Sequence, residues 1–161
     1  YRDALTDVPN RLAYQERGEM EIKRHRRSGR PLCLAVLDLD RFKDVNDRYG
    51  HRVGDKLLRS VATIAADRFR STDTFARYGG EEFVVLLPET SPGDALNLCE
   101  DFRQRIATAA FQTQGEGIPV TISIGLARYR DGDTLEGLFE RADAALYKAK
   151  AAGRNCVVVA G

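Results

Sequence analysis

Cysteine is scarce in this chain. Cys33, Cys99 and Cys156 stand far apart and form no C-x-x-C pair, so the signature of a disulfide framework or a thiolate zinc site is missing. Cys33 and Cys156 sit inside apolar runs, where a free thiol acts as a small hydrophobe. A reducing, cytoplasmic setting is the expectation. Charge of one sign is lacking too. The 25 Lys and Arg face 24 Asp and Glu, for a net charge of +1. That excludes a nucleic-acid binder held by a broad basic excess, but not a small site where one sign is gathered. The longest strictly apolar run is Leu32 to Leu37, far short of the roughly 20 residues of a membrane helix. No signal peptide is visible, and no membrane contact is expected of this segment. The motifs G-x-x-x-x-G-K-[ST], G-x-G-x-x-G, H-E-x-x-H and G-x-S-x-G are all absent. The P-loop, Rossmann, zincin and nucleophile-elbow readings therefore fail. His25 lies in a basic run, and His51 has no evident metal partner.

The 161 residues, 43% hydrophobic and 30% charged, suit one globular domain that can bury a core without staples. The chain starts at Tyr1 rather than Met and is expected to be a piece of something longer. No repeat, low-complexity tract or linker divides it. A polar, helix-friendly segment runs from Asn10 to Arg27 and is closed by Ser28-Gly29-Arg30-Pro31. Leu32 to Leu37 reads as a strand buried on both faces. Leu57, Leu58, Val61, Ile64, Ala65 and Phe69 describe one face of a helix over Gly54 to Phe69. Asp73 to Tyr78 and Phe83 to Leu87 read as strands around Gly79-Gly80, a hairpin signal. Ser91 is an N-cap with Pro92 at the first helical position, and Ala95, Leu98, Cys99, Phe102 and Ile106 follow at helical spacing. Val120 to Ala127 alternates as a strand. Thr134 caps a last helix through Ala149, Gly153 suits its C′ position, and Cys156 to Ala160 is a final strand. The order predicts an α/β (α+β) fold of helices on a mostly antiparallel sheet, resembling the ferredoxin-like arrangement.

Three segments carry candidate chemistry. Leu37-Asp38-Leu39-Asp40 runs a buried strand into two carboxylates that share a face in extended chain. Close carboxylates repel, and hard oxygen ligands suit Mg²⁺; the alternative is a solvated strand end with a helix-capping Asp. Tyr78-Gly79-Gly80-Glu81-Glu82-Phe83 places two acids at a hairpin tip, where glycine lets a ligand approach the backbone; the alternative is a plain turn. Lys150 lies about 40° from the apolar seam of the last helix and precedes Arg154, so two cations could meet an anion. Lys148 lies about 200° away on that count and should be solvated. The alternative for Lys150 is a snorkelling lysine that complements the helix dipole. Metal-binding acids with phosphate-binding cations form the inventory of phosphoryl or nucleotidyl transfer.

These residues resemble a known family. Gly79-Gly80-Glu81-Glu82-Phe83 is the GGEEF form of the signature of the GGDEF domains, the diguanylate cyclases. Asp3-Ala-Leu-Thr-Asp-Val-Pro-Asn-Arg11 resembles the family's D-x-L-T-x-L-x-N-R, and Asp38-Leu-Asp-Arg-Phe-Lys-Asp-Val-Asn-Asp47 its D-x-D-x-F-K-x-x-N-D. Tyr49-Gly-His51, Gly54-Asp55, Ser123-Ile-Gly125, Ala142 to Tyr147 and Lys150 to Asn155 continue the match in order. The resemblance implies a nucleotide-cyclase-like domain over 1–161, the C-terminal output part of a longer signalling protein. It implies synthesis of cyclic di-GMP from two GTP with release of two pyrophosphates. Asp38 and Glu81, with the Leu39 carbonyl, look like ligands of Mg²⁺ or Mn²⁺, and Glu81 like the acid that helps deprotonate the ribose 3′-hydroxyl. Whether Asp40 or Glu82 holds a second ion is open. Asn46 and Asp55 match the guanine readers; a carboxylate can accept from guanine N1–H and N2–H, a donor pair adenine lacks. The N–H groups of Phe42 and Lys43 match the β/γ-phosphate holders, Lys150 and Arg154 the phosphate-binding cations, and Gly79 and Gly80 leave room for the nucleotide. One GTP per domain implies a face-to-face C₂ homodimer, brought together by an N-terminal sensory region outside this chain that could tether it to a membrane. Arg70-Ser-Thr-Asp73 falls where the family places its product-inhibition site. The second arginine expected there is replaced by Asp101, with Arg103 and Arg105 nearby. The rival to an active cyclase is a silent module that binds GTP or cyclic di-GMP; intact Asp38, Glu81 and Glu82 favour catalysis.

Overall fold

The computed structural model describes residues 1–113 and 115–161. In chain order the elements are α1 (Arg11–Ser28), β1 (Leu32–Leu39), α2 (Phe42–Tyr49), α3 (His51–Arg68), β2 (Thr74–Gly79), β3 (Glu82–Pro88), α4 (Pro92–Thr108), β4 (Phe111–Thr113), β5 (Glu116–Ile118), β6 (Ile122–Arg128), α5 (Leu135–Ala151) and β7 (Val157–Val159). The main sheet runs β2-β3-β1-β6-β7. It is antiparallel except for the β6–β7 pair, which is parallel.

β1 explains the layering. All eight of its residues are buried, and the period-2 alternation of a strand sends them to two cores. Cys33, Ala35, Leu37 and Leu39 join the larger core, with Leu58 and Val61 of α3 and Phe102 and Ile106 of α4. Leu32, Leu34 and Val36 join the second, with Tyr14 and Ile22 of α1 and Leu138 and Leu146 of α5. Helices thus cover both faces. Each fully buried aliphatic contributes about 1.5–3 kcal/mol of transfer free energy. Gly125 of β6 lets α5 pack close on the sheet: a Cβ there would lie 2.0 Å from the Ala142 carbonyl and 2.3 Å from the Leu146 nitrogen of α5. Cys33 and Cys99 are buried, and desolvation pushes their thiols up to about 11 and about 12.

The predicted caps form. Ser91 accepts from Asp94 N at 3.2 Å, Thr134 accepts from Gly137 N at 3.0 Å, and Gly153 follows α5 at φ 114°. Two elements go beyond the sequence expectation. α2 is a separate helix, because Gly50 at φ 92° breaks the chain before α3. The short β4–β5 hairpin lies apart from the main sheet. Strand limits also shift: β6 starts at Ile122 rather than Val120, since Val120 is buried without pairing in the ladder. Among the described residues no helix is long and apolar enough to cross a membrane.

Candidate active site

The ends of β1 and β3 build the site. In the antiparallel β1–β3 ladder Asp38 faces Glu82, and in the β1–β6 ladder it faces Ser123. Leu39 N donates to the Glu81 carbonyl at 3.3 Å, which binds the hairpin turn to the strand end. Asp38 and Glu82 are therefore opposed by register, and the hairpin turn brings Glu81 beside them. Gly80 supplies the turn at φ 51°, while Gly79 has ordinary backbone and open space beside it. Arg77 braces the turn: its Nε and Nη2 donate to the Gly80 carbonyl at 3.0 and 2.8 Å, and its Nη1 donates to both Asp3 oxygens at 3.2 and 3.1 Å. Burial pushes the Asp3 carboxyl up, but the Thr6 hydroxyl and N–H and the Arg77 guanidinium outweigh it and leave it below its ordinary value.

The acids raise one another. Asp38 is 8% exposed. Desolvation lifts its carboxyl above the usual range, with Glu81 and Asp40 adding to the lift and Lys150 opposing it. Glu82 is pushed up to about 7 by burial first, then by the charges of Asp143 and Asp38. A cluster of this kind calls for a cation. Lys150 Nζ supplies one now, donating to Asp38 Oδ2. Lys148 is exposed, as its helical position predicts. No group of three or more His, Cys, Asp or Glu is arranged to hold a metal among the described residues. Asp38, Glu81 and the Leu39 carbonyl offer oxygen donors at this strand end, and two carboxylates of this kind could hold a hard cation only with its shell completed by water or phosphate oxygens.

Asp40 has another role. It accepts from Thr121 Oγ1 at 2.7 Å, Ser123 Oγ at 2.6 Å and Asn155 N at 3.0 Å. Both oxygens are engaged, and the carboxylate clamps the α5–β7 loop to β6. That loop holds Arg154 and Asn155 in left-handed backbone, at φ 67° and 48°, a conformation that persists only where surroundings over-determine it. Arg154 is exposed and makes no ion pair among the described residues. The hydroxyls of Thr121 and Ser123 escaped the sequence reading; the S-I-G pattern was their only signal.

α2 starts beside the acids. Its N-cap Arg41 stands at φ 57° and contributes no side-chain cap, so the first amides, Phe42 and Lys43 among them, lack intrahelical acceptors. Asn46 projects toward Gly54 of α3, where a Cβ would lie 1.9 Å from Asn46 Oδ1. That Oδ1 is buried with no hydrogen-bond partner. Asp55, the next residue of α3, is exposed.

Arg70 and Asp73 sit at the far end of α3. Asp73 accepts from Arg70 N, Nε and Nη2 at 2.9, 3.0 and 2.8 Å, and its side chain is 0% exposed. Arg70 also donates to Thr90 Oγ1 at 2.6 Å. The pair borders a cavity of about 370 Å³ lined by Ala62, Phe69 and Phe75. Asp101 pairs with Arg68 and Arg105, and Arg103 is taken by Glu100 and Asn155.

Residues 1–156 match the family model described as diguanylate cyclase, GGDEF domain. The diguanylate cyclase DgcP of Pseudomonas aeruginosa is 48% identical over 158 residues, covering 98% of this chain and 24% of that protein. The structure of the diguanylate cyclase SiaD with its activator SiaC, from the same species, superposes with a TM-score of 0.96 at 42% identity, over 99% of this chain and 61% of that one. The GGDEF domain of DgcB from Caulobacter crescentus in complex with c-di-GMP gives a TM-score of 0.95 at 34% identity, over 98% of this chain and 94% of that one. The chain spans between 24% and 35% of the length of the first curated relatives it matches.

Proposed function

The chain belongs to the GGDEF domain family of diguanylate cyclases, and we propose that it condenses two GTP into cyclic di-GMP and two pyrophosphates. The observation that carries this reading is the meeting of Asp38 and Glu82, opposed by register, with Glu81 of the hairpin turn at one strand end, where Lys150 pairs with Asp38. Asp38, Glu81 and the Leu39 carbonyl would hold Mg²⁺, with Mn²⁺ an acceptable substitute. When bound, the ion would offset negative charge on the triphosphate. Glu81 would take the proton of the ribose 3′-hydroxyl as that oxygen attacks the α-phosphorus of the facing GTP. Lys150 and Arg154 would bind the triphosphate, and the free Phe42 and Lys43 amides its β- and γ-phosphates. Gly79 and Gly80 would admit the nucleotide close to the hairpin backbone.

The unpartnered Asn46 Oδ1 supports guanine recognition, since a buried acceptor left unpaired costs about 1–3 kcal/mol and guanine N–H groups would satisfy it. Asp55 would complete the donor reading. Two copies would meet face to face as a C₂ dimer, each holding one GTP, because the 3′-oxygen and α-phosphorus that react come from different nucleotides. The domain would act in the cytoplasm, as the output of a longer protein whose N-terminal part governs pairing. Arg70 and Asp73 would take part in product feedback.

The test is turnover by the site variants. Glu81→Ala and Asp38→Asn should abolish conversion of GTP while GTP binding survives. Turnover that persists in Glu81→Ala would remove that residue from the reaction. Wild-type protein that binds GTP and never converts it would favour a sensing module.

A further inference from the structure

The pole of the sheet opposite Asp38 carries a second concentration of charge. β1 begins there at Leu32, and β6 and β7 end there at Arg128 and Val159. From Leu32 to Asp38 the strand climbs about 20 Å. A cavity of about 650 Å³ opens at this pole, within the roughly 300–1,000 Å³ of small-molecule sites. Its wall carries Arg26 from the last turns of α1, Arg128 and Arg130 from the end of β6, and Arg141 from α5. The Arg-Tyr-Arg run explains the pairing: Tyr129 is buried at 2% exposure, so the flanking arginines both turn outward. Arg141 is neutralised by Asp133 and also donates to the Arg128 carbonyl at 2.7 Å. The other three have no Asp or Glu partner among the described residues. Arg26 Nε reaches the Tyr129 hydroxyl at 3.4 Å, Arg130 Nη2 donates to the main-chain oxygen of Gly161, the last residue of the sequence, and among the described residues the Arg128 side chain makes no hydrogen bond. Asp131 is the single carboxylate on the wall among the described residues. The His25 ring stands edge-on to Tyr129 at 4.6 Å and makes the inner wall aromatic. Pro92, the first residue of α4, reaches the same cavity.

Basic residues at the end of α1 would by themselves be ordinary complements of the helix dipole. Arg128 and Arg130 come from a strand end, and the chain as a whole carries only +1. Convergence of unpaired guanidiniums from separate elements on one cavity is an arrangement for phosphate, whose oxygens accept their forked donors. We propose that this cavity binds a phosphate-bearing anion of more than one negative charge, either a free polyphosphate or a phosphorylated lipid headgroup. The site is separate from the catalytic acids and does not depend on the reaction assigned to them.

The experiment titrates pyrophosphate into the full chain carrying Lys150→Ala and Arg154→Ala, without divalent metal, while backbone amide resonances are followed. Those substitutions remove the cations proposed for the catalytic triphosphate. Saturable shifts at residues 25–27 and 128–131 are expected, with affinity falling as salt rises. Adding Arg128→Ala and Arg130→Ala should weaken binding at least about tenfold with an unchanged Tm, since both side chains are exposed. Vesicles of phosphatidylcholine with phosphatidic acid form the second arm. Sedimentation with them, lost on the same two substitutions, assigns the site to a headgroup; pyrophosphate saturation without sedimentation assigns it to a free anion. No saturation in either arm, binding indifferent to Arg128 and Arg130, or equal binding of poly-glutamate would overturn the proposal.

Discussion

Asp40→Asn separates two accounts of the paired carboxylates at the end of β1. In the structure Asp40 takes two hydroxyls and one amide, and Ser123 beneath it is fully buried. Hydrogen bonds to a charged acceptor are worth about 1.5–3 kcal/mol each. The left-handed backbone at Arg154 and Asn155 stores on the order of 1–3 kcal/mol per residue, held only by such surroundings. Asp40→Ala should therefore cost about 3–5 kcal/mol, because it strands the Ser123 hydroxyl and the Asn155 amide. Asp40→Asn keeps the shape and one acceptor but turns an N–H₂ toward a donor, and should cost about 1–2 kcal/mol. The Arg154 loop would loosen, so KM for GTP should rise about tenfold, with kcat less affected. Urea unfolding gives the first quantity and steady-state kinetics the second. Asp38→Asn should behave differently, losing kcat and the response to metal. If Asp40→Asn leaves both the midpoint and KM unchanged, the clamp is refuted; if it matches Asp38→Asn in its lost metal response, Asp40 belongs with the ligands.

Other consequences follow from neighbouring contacts. Glu82 has a folded-state carboxyl raised to about 7. The protonated form is favoured by folding, so its contribution is fully present below the ordinary carboxyl value and is lost as pH rises through 7. Without metal, stability should fall on the order of 1–2 kcal/mol across that window after allowance for solvent screening, and Glu82→Gln should flatten the profile; a slope that persists in Glu82→Gln assigns it elsewhere. Arg70→Ala leaves the buried Asp73 carboxylate without its fork and should lower stability by about 1–3 kcal/mol, while relieving product inhibition; unchanged inhibition removes Arg70 from that site. Gly54→Ala drives a methyl into Asn46 Oδ1 and should raise KM for GTP. Combined with Asn46→Ala it should cost less stability than the sum of the two changes, and simple additivity would contradict the contact.

The side chains that meet at the end of β1 were legible as neighbours in the sequence because each sits at or beside the end of a strongly patterned element. The apolar run Leu32 to Leu37 read as a strand buried on both faces, which placed Asp38 at its end. The Gly79-Gly80 pair read as a hairpin turn with Glu81 beside it; in the structure Gly79 ends β2 and the turn itself is Gly80 and Glu81. Less legible was anything set by contacts distant in sequence. The opposition of Asp38 and Glu82 depends on ladder register. The diversion of Asp40 to Thr121, Ser123 and Asn155 spans more than 80 residues of chain. Helix α2 was hidden because Phe42, Val45 and Tyr49 were read as parts of a motif, although their spacing fits one helical face. Its separation from α3 rests on the backbone of Gly50. Arg70 and Asp73 stand three residues apart with opposite charge, but that spacing alone does not reveal a carboxylate with no exposed surface.

Product identity tests the central claim most directly. The chain, fused to a dimerising coiled coil and given GTP with Mg²⁺, should release cyclic di-GMP and two equivalents of pyrophosphate, identified by mass. The same fusion bearing Glu81→Ala should release neither. Pyrophosphate without cyclic dinucleotide, or bound GTP that is never converted, would contradict the account.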